Sequence, residues 1–117
     1  MTINSRQKGA AGEREAAELF RFHGYTARRG QQFSGGGDSP DVVCKELHDN
    51  FHFEIKRVEQ GNLYTWMAQA AKDADGKIPV VIHRRSRQDW VAILPAGIFL
   101  QLLHRAGYKP DDTSPHD

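Results

Sequence analysis

The chain has 117 residues, the length of one ordinary domain able to bury a core of its own, and its apolar share of 38% and charged share of 26% are those of a globular protein. No apolar run approaches the roughly 20 residues that span a bilayer, and the N-terminus Met1-Thr-Ile-Asn-Ser-Arg6 lacks the apolar core of a signal peptide, so no membrane partner is expected. The single Cys44 excludes an internal disulfide and makes a reducing cytoplasm the expected location, while the net charge of +1 excludes a uniformly basic or acidic surface.

Residues 5–24 are predicted to form a helix, with Ser5 as N-cap and Gly24 as the stop. Ala16, Leu19, Phe20 and His23 make its apolar stripe, Gly9 and Gly12 extend it, and Glu13 falls at its edge, facing partly inward. Residues 25–32 read as a short extended segment. The loop Ser34-Gly-Gly-Gly-Asp-Ser-Pro40 follows, either a flexible connector or a loop that approaches DNA. It is not a phosphate-binding P-loop, because no Gly-Lys-Ser/Thr follows, and no nucleotide cofactor is expected.

Residues 41–47 and 51–58 read as the strands of a hairpin around His48-Asp-Asn50. Strand side chains alternate between faces, so Phe51, Phe53 and Ile55 share one face and His52, Glu54, Lys56 and Val58 the other. An even-numbered hairpin loop then pairs Asp41 with Lys56, Val43 with Glu54, Val42 with Ile55 and Cys44 with Phe53. This register gathers the apolar residues on one face and Asp41, Glu54 and Lys56 on the other.

Residues 62–75 form a second predicted helix capped by Asn62, with Leu63, Trp66, Met67, Ala70 and Ala74 as its buried stripe and Gln69 beside that stripe. Strands over 78–83 and 90–94 flank the basic turn Arg84-Arg-Ser-Arg-Gln-Asp89. Pro95 opens a third helix that runs to about Ala106, with Ile98, Phe99, Leu102 and Leu103 facing inward. One domain over 1–108 and a disordered polar tail over 109–117 complete the expected organisation.

Charge is segregated along this order. Residues 1–35 carry six basic and three acidic groups, 36–76 four and eight, and 77–109 six and one, a pattern suited to cations at the centre and a polyanion around it. Hard carboxylate oxygens from Glu13, Asp41 and Glu54 suit Mg²⁺, with Mn²⁺ able to substitute. Lys56 is placed to orient or deprotonate an attacking water or to stabilise charge on a phosphorane-like transition state. Glu54-Ile-Lys56 alone would be an ordinary same-face ion pair worth at most about 1 kcal/mol. Pro40-Asp41, with Asp41 thirteen residues before Glu54, turns the pair into a candidate site. Asp38 is the alternative acid if the strand starts elsewhere. Cys44, His48 and His52 have zinc-like separations but straddle the hairpin turn and lack a fourth ligand. Arg6, Lys8, Arg14, Arg28, Arg29, Arg84, Arg85 and Arg87 are the candidate phosphate contacts.

Pro40-Asp41 with Glu54-Ile55-Lys56 resembles the PD-(D/E)-x-K nuclease signature, and Lys8-Gly9-Ala-Ala-Gly-Glu13-Arg14-Glu15 resembles the start of archaeal- and phage-type Holliday junction resolvases. Lys77-Ile-Pro-Val-Val-Ile-His-Arg-Arg85 with Trp90 is similar to the sheet-closing strands of phage members. The resemblance implies an α/β fold with a restriction-endonuclease-like core, a mixed central β-sheet flanked by α-helices. It also implies a homodimer that cuts branched DNA in a Mg²⁺-dependent reaction, with roles in DNA recombination and repair. Residue by residue it implies metal ligation by Glu13, Asp41, Glu54 and the Ile55 backbone carbonyl, a catalytic Lys56, and contributions from Ser34, which would also touch DNA, and Gln69. Related domains cut other DNA substrates, so restriction- or repair-type nucleases and a non-cleaving DNA-binding module are the alternatives.

Overall fold

Among the described residues eight elements follow one another as α1 (Ser5–Phe22), β1 (Ala27–Arg29), β2 (Val42–Cys44), β3 (Phe51–Arg57), α2 (Leu63–Ala74), β4 (Ile78–Arg84), β5 (Val91–Ile93) and α3 (Ala96–Arg105). The computed structural model describes residues 5–30 and 41–111, with side chains from Gly9 onward. The five strands form one sheet in the order β1-β2-β3-β4-β5. Only β3 and β4 run parallel, and α2 makes the crossover between them, as a parallel connection requires. The remaining neighbours are antiparallel. This is the mixed, helix-flanked α/β sheet expected from the sequence.

The alternation of β3 divides the sheet into two chemically different faces. Ala27, Val42, Cys44, Phe53, Ile55, Val80 and Ile82 form the core on one face with Ala16 and Ala17 of α1, and Leu19, Phe20 and Trp90 pack against them. Small residues bring α1 close to the sheet. At Gly12 the approach is closest, since a Cβ there would lie 2.6 Å from Arg57 Cβ, too near for any side chain without backbone movement. The opposite face carries His52, Glu54, Lys56, Val81 and His83, and α2 covers it with Ala70 and Ala74 fully buried. Asn62 Oδ1 caps α2 by accepting from the Tyr64 and Thr65 backbone N–H groups at 2.9 and 3.2 Å. Asp75 and Gly76, at φ 49° and 90°, turn the chain out of the helix.

Four expectations are corrected. The hairpin pairs Val42 with Phe53, so Asp41 falls beside Glu54 instead of Lys56. The face parity survives because the slip is two residues. Its cause is a run of turns over 45–50, where Leu47 and His48 N–H both donate to Cys44 O and Asn50 and Phe51 N–H to Leu47 O, which ends β2 early. His23 and Gly9 are exposed at the ends of the α1 stripe, and Leu63 is exposed on α2. Finally, α3 buries none of its residues fully: Ile98, Leu102 and Leu103 of the predicted stripe are half-buried, while Phe99 is 49% exposed. It follows the edge strand β5 after the helical layers on both faces are already filled by α1 and α2. No helix among the described residues is long and apolar enough to cross a membrane.

Candidate active site

β3 presents Glu54 and Lys56 on the α2 side of the sheet, and the β2–β3 register brings Asp41 alongside Glu54. Asp41 is held at both ends: its N–H donates to Phe53 O at 3.1 Å, and its Oδ2 accepts the Ile55 N–H at 2.8 Å. The carboxylate thus takes the place of a backbone acceptor where β2 begins. In an antiparallel ladder the N–H and C=O of one residue point the same way, so the Ile55 carbonyl faces the Asp41 side as well.

Two carboxyl groups in contact cannot both ionise cheaply in a half-buried site. Burial, then the charge of Glu54 and a smaller push from Glu13, raise the Asp41 carboxyl to about 7 against the pull of the Ile55 N–H. Burial acts upward on Glu54 too, but the hydrogen bond and charge of His52, the contact with Asp41 and the charge of Lys56 together hold it below the usual carboxylate range. Below about pH 7 the pair therefore shares one proton, resident on Asp41, and Glu54 carries the charge. A cation reaching both oxygens would displace that proton. The donor set, two hard carboxylates and a backbone carbonyl, fits Mg²⁺ or Mn²⁺.

Glu13 arrives from the other side. It is buried on α1 and accepts from Arg29 Nε of β1 at 2.7 Å. Its charge reaches Asp41, but its carboxylate is held by this ion pair. Glu15, one turn face away, pairs with Arg84 of β4 and lies 3.5 Å from Arg57 Nε of β3. The middle of α1 is thereby pinned by ion pairs across three strands.

Among the other predicted residues, Gln69 is exposed on α2. Ser34, Asp38 and Pro40 lie outside the described residues, as do the last residues of the predicted tail. Arg6 and Lys8 belong to the first two turns of α1. Arg14, Arg28, Arg85 and Arg87 are exposed, whereas Arg29 and Arg84 are engaged with Glu13 and Glu15. The zinc arrangement does not form: Cys44 is buried in the α1-side core, His48 is exposed, and His52 faces α2.

Sequence reasoning placed His52 on the Glu54 face but gave it no part in this site, and it missed Asp73. His52 Nε2 lies 2.9 Å from Glu54 Oε1, and because an ionised carboxylate only accepts, Nε2 carries the hydrogen. Asp73 reaches the same place from the last turn of α2, so that the candidate ligand atoms of His52, Glu54 and Asp73 all lie within 4.8 Å of one another. His52 could have been found from the two-residue alternation; Asp73, nineteen residues beyond Glu54, carries no local signal. Farther along the same face His83 Nδ1 donates to the Lys56 carbonyl at 2.8 Å while its ring packs on Trp66 at 4.7 Å, fixing the backbone that carries the lysine.

Comparison with known families gives one finding that covers nearly the whole chain. Residues 4–110 match the model of the family described as "Phage putative PDDEXK endonuclease". No curated protein matches the chain. The mixed sheet with its two flanking helices is accordingly a restriction-endonuclease-like core.

Proposed function

The chain belongs to the phage PDDEXK endonuclease family, and from that premise we propose that it hydrolyses DNA phosphodiesters at four-way junctions, as a homodimer and with a divalent metal ion. The observation that carries the nuclease chemistry is the contact of the Asp41 and Glu54 carboxylates on the face that also bears Lys56. Asp41, Glu54 and the Ile55 carbonyl would hold Mg²⁺ or Mn²⁺, with Glu13 contributing its charge from across the sheet edge. The bound ion supplies Lewis-acid activation of the phosphate and of a water molecule.

Each residue of the chain has a separate task in that reaction. Glu54 is ionised and oriented before substrate arrives. Asp41 would give up its proton to hold the cation as a carboxylate ligand. The Lys56 ammonium orients the attacking water and neutralises charge as it develops on the phosphate oxygens. The exposed Arg14, Arg28, Arg85 and Arg87 bind DNA phosphates outside the site, with Arg6, Lys8, Arg29 and Arg84 in the same role. Gln69, exposed on α2, and Ser34 contribute to the reaction as the family resemblance implies.

Junction preference is supported by the resemblance of the run from Lys8 to Glu15 to the resolvase start. The homodimer is supported by α3, which buries none of its residues fully within the chain and leaves Phe99 and Leu100 exposed. Two such sites in one dimer would suit the two symmetric strands of a four-way junction. Action in the cytoplasm, in recombination or repair, follows from the same reading.

The test is a cleavage panel. The protein is incubated with Mg²⁺ or Mn²⁺ and labelled four-way junction, flap, linear duplex or single-stranded DNA, alongside Asp41→Ala, Glu54→Ala and Lys56→Ala. Metal-dependent cuts confined to the junction and lost in all three variants are expected. Equal cutting of linear duplex would remove the junction assignment in favour of a restriction- or repair-type nuclease. Junction binding without any cut would mark a non-cleaving module.

A further inference from the structure

We propose that His52, Glu54 and Asp73 form a second divalent-cation site, built for a first-row transition-metal ion such as Mn²⁺, which shares Glu54 with the Asp41 position. Its parts come from two elements that the fold brings together. β3 supplies His52 and Glu54 from alternate positions on one face, and α2 supplies Asp73 from its last turn. His52 and Glu54 are 3% and 6% exposed, so both polar groups are withdrawn from water, and Asp73 closes the group from a half-buried position.

The geometry is that of one coordination shell. Ligand atoms about 2.1 Å from an ion lie at most about 4.2 Å apart, so small side-chain rotations close the 4.8 Å spread. His52 Nε2 and Glu54 Oε1, at 2.9 Å, already stand at the separation of adjacent ligands around such an ion. The ion would take the place of the hydrogen that Nε2 now donates. One imidazole nitrogen with two carboxylates is a mixed donor set. It suits Mn²⁺ or Zn²⁺, whereas Mg²⁺ prefers oxygen and keeps most of its waters. Charge favours occupancy as well. Glu54 and Asp73 set two carboxylates close together with Asp41 in contact with Glu54, and carboxylates withdrawn from water require compensation. Filled, the site would tie α2 to β3 and fix Glu54 toward Asp41.

The rival arrangement is a hydrogen-bonded relay in which His52 merely orients Glu54, and the two differ in a measurement that needs no cleavage. The metal-stripped full chain is titrated with Mn²⁺ without DNA, in the presence and absence of excess Mg²⁺, for the wild type and for His52→Gln, Asp73→Asn and Asp41→Asn. The wild type should bind two Mn²⁺ per chain, one displaced by Mg²⁺ and one retained. His52→Gln and Asp73→Asn should weaken the retained ion by at least ~10-fold, and Asp41→Asn should remove the displaceable one. Mn²⁺ stoichiometry and affinity unchanged in His52→Gln and Asp73→Asn, or displacement of all Mn²⁺ by Mg²⁺, would overturn the proposal in favour of the relay. Circular dichroism establishes folding; should His52→Gln fail to fold, Asp73→Asn, which conserves volume on a half-buried helix position, decides alone. Retained Mn²⁺ in a protein that cuts no DNA would leave this site standing and remove the nuclease reading, and the reverse outcome would do the opposite.

Discussion

The two faces of β3 are equally buried and chemically opposite. Phe53 and Ile55 are 6% and 8% exposed on one face, His52 and Glu54 3% and 6% on the other. Burial therefore does not separate core from site in this sheet; what meets each face does. α1 brings Ala16, Ala17 and Phe20, and every contact removes apolar surface from water at roughly 25 cal/mol per Å². α2 brings Ala70 and Ala74 but also Asp73 to a face that already holds a carboxylate pair, where burial costs desolvation that hydrogen bonds only partly offset. The α1 face supplies the stability that lets the α2 face hold like charges together.

Substitutions one residue apart should break this contrast in opposite ways. The largest effect is expected on the polar face: Lys56→Ala or Glu54→Gln should lower metal-dependent cleavage by at least ~10³-fold in single-turnover assays, with a folded far-ultraviolet spectrum. On the apolar face Phe53→Ala should cost about 3–4 kcal/mol in urea unfolding, through the cavity left beside Phe20 and Val42. If Phe53→Ala proved mild and Glu54→Gln unfolded the protein, the division of labour between the faces would be wrong.

Asp41 sharpens the comparison through pH. Its carboxyl is raised in the folded state, so the protonated form is the one the fold prefers. The contribution of this group is fully present below about pH 4 and is lost as pH rises through about 7. Glu54, lowered, acts in the opposite sense, its contribution being lost as pH falls below its ordinary range. Metal-free protein should thus lose stability between about pH 4 and 7. Asp41→Asn should remove that slope and gain on the order of 2 kcal/mol at pH 8 while abolishing cleavage. Denaturant midpoints measured across this range check it, and an unchanged slope in Asp41→Asn would show that the carboxylates do not repel as described. For the same reason cation binding should tighten as pH rises toward 7.

Smaller effects are expected where a helix meets a sheet or fails to. Gly12→Ala places a methyl group against the root of the Arg57 side chain and should cost about 1–3 kcal/mol in thermal unfolding by lifting α1. Phe99→Ser on α3 should change monomer stability by less than about 0.5 kcal/mol, because the residue is half exposed, yet shift the proposed dimer toward monomer in sedimentation. A dimer unaffected by Phe99→Ser and by Leu102→Ser would place the interface elsewhere, and a wild-type monomer in sedimentation would remove the dimer proposal.

The alternation in β3 was legible because a two-residue period depends on backbone geometry alone. It separated Phe53 and Ile55 from Glu54 and Lys56 without knowledge of neighbours. The parity of the hairpin, hence the presence of Asp41 on the Glu54 face, followed from the same rule and survived a two-residue slip in register. Asn62 was readable as a cap, since its partners lie within three residues. The exact partner of Asp41 was not, because it hangs on how residues 45–50 spend their backbone hydrogen bonds.

What only the tertiary structure decided are the contacts between residues far apart in the chain. Glu13 finds Arg29, Glu15 finds Arg84, and Asp73 finds His52 and Glu54, none of them at a spacing that local periodicity marks. The apolar stripe of α3 was equally visible to sequence reasoning as that of α2, and only assembly showed that one covers the site face and the other is no more than half-buried. Periodicity records which side of an element is apolar; which surface that side meets depends on the layers already in place, and that is settled by packing alone.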